Sequence, residues 1–342
     1  MLDVISIGTA TRDVFLKVPG IKVLKDPEHL KKLGFIAGEA ECMALGSKLE
    51  VEEPLLTIGG GATNSAVTFS RQGLKTAAII TIGDDENGKA VLAALKKEKV
   101  KPLVVYSPKE QTAYSTILLS SSAERTILVY RGAANDLDEK QISWDLLKAK
   151  WAYIAPGAID LSVMRKIFYS LKNSGTRIAM NPSGYYLKQG LQVLQPFLDD
   201  CDVVILNQEE ASLLTSIPLE DEKSLLKKMD DIISGLLLMT NGRKGSVVAD
   251  GKNIYRAGIF PDHPIDRTGT GDAFGSGFVS VLAKTRKEPP YDQETIKEAI
   301  RFGTANATSK IEHIGAQSGI LTAKEFKSDE RWKNFSVLVE PA

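Results

Sequence analysis

From residue 151 to residue 206 the chain alternates between two kinds of segment. Strand-length apolar runs (Trp151 to Ala155, Arg177 to Met180, Val203 to Leu206) are separated by helix-length stretches, Leu161 to Lys172 and Leu187 to Leu198. Strands spaced by single helices predict right-handed crossovers and therefore a mostly parallel sheet with helices packed on it. The same pattern reaches both ends of the chain. Leu2 to Gly8 reads as a buried strand, Ala62 to Gln72 as a helix closed by Gly73, Ala77 to Ile82 as a strand, and Asn87 to Lys99 as a helix with Val91, Leu92 and Leu95 at helical spacing. Strands follow at Leu236 to Thr240 and Gly245 to Ala249, and helices from about Gly271 to Lys284 and from Asp292 to Ile311.

Two stretches break the rhythm. Pro19 to Pro54 is rich in lysine and glutamate and carries Pro27, Gly34, Gly38 and Gly46, the texture of an insertion. Thr112 to Leu119 and Thr126 to Val129 alternate around the polar run Ser120 to Glu124 and predict a hairpin. The expected architecture is an α/β sandwich over residues 1–13, 57–102 and 132–342, with a small β-rich piece from residues near 14–56 and 103–131.

Charge and composition narrow the function classes. Lys plus Arg and Asp plus Glu number 43 each in 342 residues, so no global field draws the protein to nucleic acid or to an anionic membrane. No apolar run approaches the length of a membrane span. The N-terminal stretch carries Asp3 and no basic residue before its apolar run, so it reads as a first strand rather than a secretory signal. Two cysteines, Cys42 and Cys201, are too few for a disulfide framework and fit a reducing compartment. A cytoplasmic location is expected.

The chemistry concentrates in Asp266-Arg267-Thr268-Gly269-Thr270-Gly271-Asp272-Ala273-Phe274, which precedes a helix with Phe274 and Phe278 on one face. Glycines at a helix start let successive N–H groups converge on an anion, and the helix dipole adds positive potential there. A carboxylate in that first turn competes with a bound phosphate unless it serves as a base for a hydroxyl proton, the role the spacing suggests for Asp272. A Gly-rich turn with an N-terminal Asp is the plainer explanation of the same residues. Other patterns fail. Gly269-x-Gly271 lacks the third glycine of a dinucleotide fingerprint. Gly83 to Ala90 has the spacing of a phosphate loop but carries Asp84, Asp85 and Glu86, and Ala90 stands where a hydroxyl is needed, so it reads as a turn capping a helix. The three histidines and two cysteines have no zinc spacing, and there is no Gly-x-Ser-x-Gly elbow.

Taken in order, the motifs resemble those of the ribokinase-like (PfkB) family of carbohydrate and nucleoside kinases. Gly59 to Ala66, Arg71-Gln72-Gly73 and Ile82 to Gly88 are similar to its first signature, and Asp266 to Phe274 to its second. Between them stand Arg131 to Asn135, Asn207-Gln208-Glu209-Glu210 and Thr240 to Gly245, each resembling a family motif. The resemblance implies a three-layer α/β sandwich with a mostly parallel central sheet and a small β lid, and transfer of phosphate from ATP to a sugar hydroxyl with Mg2+. Asp272 would be the general base, and the amides of Gly269, Thr270 and Gly271 the anion hole. Glu210 and Asn207 would orient magnesium through water, and Thr240, Gly242 and Gly245, with Asn207, would border the nucleotide. Asp13, Gly60, Gly61 and Asn64 would hold the acceptor.

The resemblance also implies a monovalent-cation loop including Asp266 and Thr268. The other half of that loop here carries Lys310, which brings its own charge, and His313 where arginine is common. Both departures argue against a potassium requirement. Asn181-Pro182-Ser183 with Tyr185 and Tyr186 is similar to a segment of adenosine kinases, and Phe15, Phe35 or Tyr114 are candidates to stack on a base or, equally, to form the lid core. A nucleoside acceptor is therefore the alternative to a ribose, fructose or keto-sugar acceptor. A non-catalytic sugar or nucleotide sensor is the remoter one, weakened by the retained Asp272 and Glu210. The lid edge offers a surface for a homodimer.

Overall fold

The computed structural model of the chain describes residues 1–35, 38–119, 125–285 and 287–342. Its strands are β1 (Leu2–Gly8), β2 (Thr11–Lys17), β3 (Lys22–Lys25), β4 (Glu39–Cys42), β5 (Leu55–Gly59), β6 (Thr76–Ile82), β7 (Lys101–Tyr106), β8 (Tyr114–Leu119), β9 (Arg125–Tyr130), β10 (Ala149–Ala155), β11 (Arg177–Met180), β12 (Val203–Asn207), β13 (Leu236–Thr240), β14 (Ser246–Ala249), β15 (Asn253–Ala257) and β16 (Val337–Pro341). Ten form the central sheet in the order β16-β15-β14-β13-β12-β11-β10-β1-β6-β7. From β7 across to β13 every pairing is parallel, and the last three strands at the far edge run antiparallel.

The period of two along each strand divides the core into two layers. Val204 and Leu206 of β12 join Ile154 and Met180 on one face, packed by the helices Leu161–Asn173, Leu191–Asp199 and Glu222–Ile232. Val203 and Ile205 join Tyr153 and Leu238 on the other, under the helices Thr270–Lys284 and Gln293–Ile311. The helices Gly61–Arg71 and Glu86–Lys97 continue that second face over β6, through Ala62, Ala66, Ile80 and Val91. The result is the α/β sandwich that the rhythm of the sequence predicts, in the three layers that the motif resemblance implies.

A second sheet, in the order β5-β2-β8-β9, forms the lid, and β3 and β4 pair as a short ribbon. Its limits differ from those read in the sequence. β2 and β5 are lid strands throughout, so the lid takes in residues 11–13 and 57–59. β7 pairs in parallel with β6 at the edge of the central sheet, so residues 103–106 belong to the core. Hydrogen bonding, rather than composition, decides membership here: β7 contains Pro102 and is only partly buried, so its pattern looks like lid. The polar run at 120–124 of the expected hairpin lies outside the described residues.

After β1 the chain builds β6 and β7 on one side, and it returns to place β10 on the other. The carboxyl ends of β1 and β10 therefore border the crevice where open α/β sheets bind ligands. The approach is close. A side chain on Gly8 would put its Cβ 1.9 Å from the Ala155 carbonyl oxygen.

Candidate active site

Two helix N-termini meet over this crevice. The first is the start of Gly61–Arg71, reached through Gly60 at φ +98°, where a Cβ would lie 2.5 Å from the Thr9 carbonyl. A Cβ on Gly61 would lie 2.4 Å from the Ala155 methyl and 3.5 Å from Asp272 Oδ1. The second is the start of Thr270–Lys284, whose N-cap, Gly269, is left-handed at φ +75° and donates no side-chain cap. Helix starts without a side-chain cap keep first-turn amides available for an anion. The Thr270 amide makes one long contact, 3.3 Å to the Arg267 carbonyl. Gly271 is exposed at the mouth of the turn.

Asp272 sits in that first turn, partly covered. Asn64, from the other helix and only 4% exposed, donates Nδ2 to Asp272 Oδ2 at 2.9 Å. The Asn64 amide cannot turn over, because its Oδ1 accepts from Gln317 Nε2 at 3.2 Å. Burial pushes the Asp272 carboxyl above its ordinary value, and the Asn64 hydrogen bond offsets part of that rise. The hydroxyl of Tyr153, fully buried, has no hydrogen-bond partner among the described residues. Burial and the nearby Asp272 charge push its pKa well up.

The lid supplies the other side. Asp13 is buried on β2, where Thr11 Oγ1 donates to its Oδ1 at 3.0 Å and Ser115 adds a second hydrogen bond. Thr57 and Ser115 are its register partners on β5 and β8 and share its face. Burial raises the Asp13 carboxyl despite those bonds. Only glycine fits at residue 59, where a Cβ would meet Asp13 Oδ2 at 2.0 Å.

At the ends of β12 and β13, Asn207 and Thr240 are paired in register. Asn207 and Glu210 form a reciprocal capping box: Glu210 N–H donates to Asn207 Oδ1 and Asn207 N–H to Glu210 Oε2, each at 2.8 Å. The second Glu210 oxygen makes no hydrogen bond among the described residues. Burial raises the Glu210 carboxyl, and the charges of Glu209 and Asp272 add to it. No cluster of three or more His, Cys, Asp or Glu able to hold a metal occurs among the described residues. One half-buried carboxylate with a spare oxygen fits a magnesium ion that keeps its waters and rides on nucleotide phosphates.

The structure thus gathers Asp272, Asn64, Gly60, Gly61 and the Gly269–Gly271 turn at one crevice, with Asp13 across Gly59 and the Asn207–Glu210 box at the carboxyl end of β12. Gly242, at φ +51°, lies in an exposed turn after β13. Gly245 has a packing reason to be glycine, since a Cβ there would sit 2.0 Å from the Ala257 carbonyl. Asp85 caps the Glu86–Lys97 helix and ties it to Thr112 at the base of the lid, so Gly83 to Gly88 is a cap, as its acidic residues suggested. Of the candidate stacking residues, Phe15 is buried in the lid at 2% exposure, Tyr114 is half-buried on β8 and Phe35 is exposed; Tyr186, in the segment similar to adenosine kinases, is fully buried with its hydroxyl on the Ile159 carbonyl. Gln317, Tyr153, Thr11 and Ser115 were absent from the sequence reading of the site. Alternation along β8 was a signal available for Ser115, whereas nothing local marks Gln317.

The pattern of the pfkB family of carbohydrate kinases matches residues 3–323. This chain belongs to that family. A ribokinase of Haemophilus influenzae is 29% identical to this pfkB-family chain over 293 residues, covering 82% of it and 89% of the relative. Among solved structures, an Arabidopsis thaliana ribokinase complexed with ribose and ATP superposes with a TM-score of 0.74 at 19% identity, covering 97% of this chain and 99% of that one. An adenosine kinase from Sinorhizobium meliloti superposes with a TM-score of 0.74 at 21% identity, covering 96% and 99%. At such identities the two superpositions establish the fold, which carbohydrate and nucleoside kinases share. No helix among the described residues is long and apolar enough to cross a membrane.

Proposed function

We propose that this chain transfers the terminal phosphoryl group of ATP to a hydroxyl of a small sugar, with Asp272 as the base. The observation that carries the reading is the Asp272 carboxylate, held by Asn64 in the first turn of a helix that has no side-chain cap. A base there meets the acceptor hydroxyl where the helix amides meet the phosphate. The acceptor lies between Asp13, Asn64 and the Gly60–Gly61 backbone, which together offer directional donors and acceptors and room for a ring. Asp272 takes the hydroxyl proton as the oxygen attacks phosphorus. The amides of the Gly269–Gly271 turn receive the charge that builds on the transferring group. Thr240 and Gly242 border the nucleotide. Glu210 and Asn207 would hold magnesium through its waters, and the ion would supply neutralisation of phosphate charge when bound with the nucleotide. The lid excludes water that would otherwise take the phosphoryl group.

A sugar is the first reading because Phe15 and Tyr186 are buried and present no ring face to a base, while exposed Phe35 and half-buried Tyr114 keep a nucleoside as the alternative. Two free cysteines fit a cytoplasmic protein. β9 is an edge strand with Ile127, Leu128, Val129 and Tyr130 exposed at 41–57%, which supports a homodimer through that edge. Light scattering that returns a monomer mass removes that assignment.

The deciding experiment is ADP release from ATP and Mg2+ across ribose, fructose, 2-keto-3-deoxygluconate, adenosine, inosine and cytidine. One sugar acceptor is expected to dominate, and Glu210→Gln to raise the magnesium concentration needed for half-maximal rate. A nucleoside as best acceptor overturns the sugar assignment. Silence across the panel with ATP still bound favours a sensor.

A further inference from the structure

Behind the Gly269–Gly271 turn, the residues that the family resemblance assigns to a monovalent cation do not fit one. Lys310, in the last turn of the Gln293–Ile311 helix, is 0% exposed. Its ammonium donates to the Asp266 main-chain oxygen at 2.7 Å and lies 3.4 Å from both Asp266 Oδ2 and the His313 carbonyl oxygen. Two carbonyls and a carboxylate are the kind of oxygen set that attracts a potassium ion, and here they surround a covalently tethered positive charge. A second cation at the same oxygens meets strong repulsion, because the site is buried away from the solvent that would screen it.

The contacts around this charge reach the anion hole. Asp266 Oδ2 accepts from the Gly315 amide at 2.9 Å, and Oδ1 accepts from the Thr268 amide and hydroxyl at 2.9 and 2.7 Å. The amides of Ile265 and Asp266 donate to the Ile311 carbonyl at 2.7 and 3.0 Å. One residue beyond Gly315, Ala316 packs so tightly on Gly269 that a Cβ there would lie 2.9 Å from the Ala316 methyl. The two loops that shape the turn are thus joined through Lys310 and Asp266.

We propose that the Lys310 ammonium is a built-in cation that positions the anion-hole turn, so that phosphoryl transfer by this chain needs no added monovalent cation. The proposal rests on the kinase reading above. Lys310 touches neither substrate, so it is a positioning residue, acting through Asp266 and the 310–316 loop.

The test compares wild type with Lys310→Ala, which vacates the ammonium, in choline buffer and after adding KCl, NH4Cl or NaCl. Wild-type turnover is expected to change by less than about twofold among these salts. The variant is expected to lose about tenfold or more in kcat with little change in the sugar KM, since a displaced anion hole weakens the transition state more than the ground state. Potassium or ammonium, but not choline, is then expected to restore part of the lost kcat, a rescue that a merely structural ion pair does not give. Strong potassium activation of wild type overturns the proposal, as does a folded variant with wild-type kcat or one no cation rescues. If Lys310→Ala does not fold, the wild-type salt series alone decides. If wild type turns over no acceptor, the kinase reading fails separately. The melting temperature then reports on Lys310: potassium-specific stabilisation of the variant but not of wild type supports the built-in cation, and equal shifts refute it.

Discussion

Asp266 and Asp272 flank one glycine turn, and burial works against the charge of both, yet their carboxyls shift in opposite directions. At Asp266 the burial cost is outweighed by the Lys310 ammonium and by hydrogen bonds from Thr268 and Gly315, and its pKa falls below the ordinary value of 3.8. At Asp272 the opposing contribution is a single neutral donor, Asn64, and the pKa rises. A carboxylate locked to a cation is a structural anion, with its lone pairs committed. One left with a neutral amide keeps an oxygen for a proton. The back of the turn is therefore built to hold shape, and the front to react.

Exchanging each acid for its amide should separate the two roles. Asp272→Asn removes the proposed base, and turnover should fall by about 10²–10⁴-fold, the usual weight of a positioned acid or base. Its stability should not fall. A group whose folded pKa is raised favours folding when protonated and loses that benefit as pH rises from the unfolded value through the folded one, so ionised Asp272 destabilises at neutral pH. A melting temperature at or above wild type checks this, and a large drop would make Asp272 structural. Asp266→Asn should do the reverse, breaking the buried ion pair with Lys310 and costing about 3–5 kcal/mol of stability. Because the Asp266 pKa is depressed, its contribution is present above pH 3.8 and is lost as pH falls through the lower folded value. Urea titrations at neutral pH measure the loss, and indistinguishable midpoints for the two variants would erase the contrast.

What the sequence disclosed follows the same division. The glycines at 59–61, 269 and 271, the acid that follows Gly271 and the parallel strands were legible because each is written locally, in backbone freedom or in an apolar run. The central strands, buried on both faces, run almost without polar residues, as Thr76–Ile82 does. The far edge was not legible. β15 and β16 are short and mixed, and they exist because Tyr255 faces Val339 from a segment near the end of the chain. The lid boundaries failed for a similar reason, since β5 begins with exposed Leu55 and Leu56 and gains its identity only by pairing with β2. Lys310 was visible as an odd charge in the cation loop, but its full burial was not. Gln317 reaches Asn64 across 253 residues, and no local pattern encodes such a contact.

That contact bears on how finely the base is tuned. Asn64 is held by Gln317 on one side and presents its amide to Asp272 on the other, so the two residues together set how far the Asp272 carboxyl rises. Asn64→Ala removes the hydrogen bond that favours the ionised form. The carboxyl should then rise further, and the acid limb of the kcat/KM profile should move to higher pH. Gln317→Ala leaves the Asn64 amide in place but free to turn, so it should move the limb in the same direction by less. Both changes should leave the alkaline side alone. If the acid limb stays where it is in Asn64→Ala, then the group titrating there is not Asp272; Glu210 and Asp13, whose carboxyls burial also raises, become the groups to substitute next.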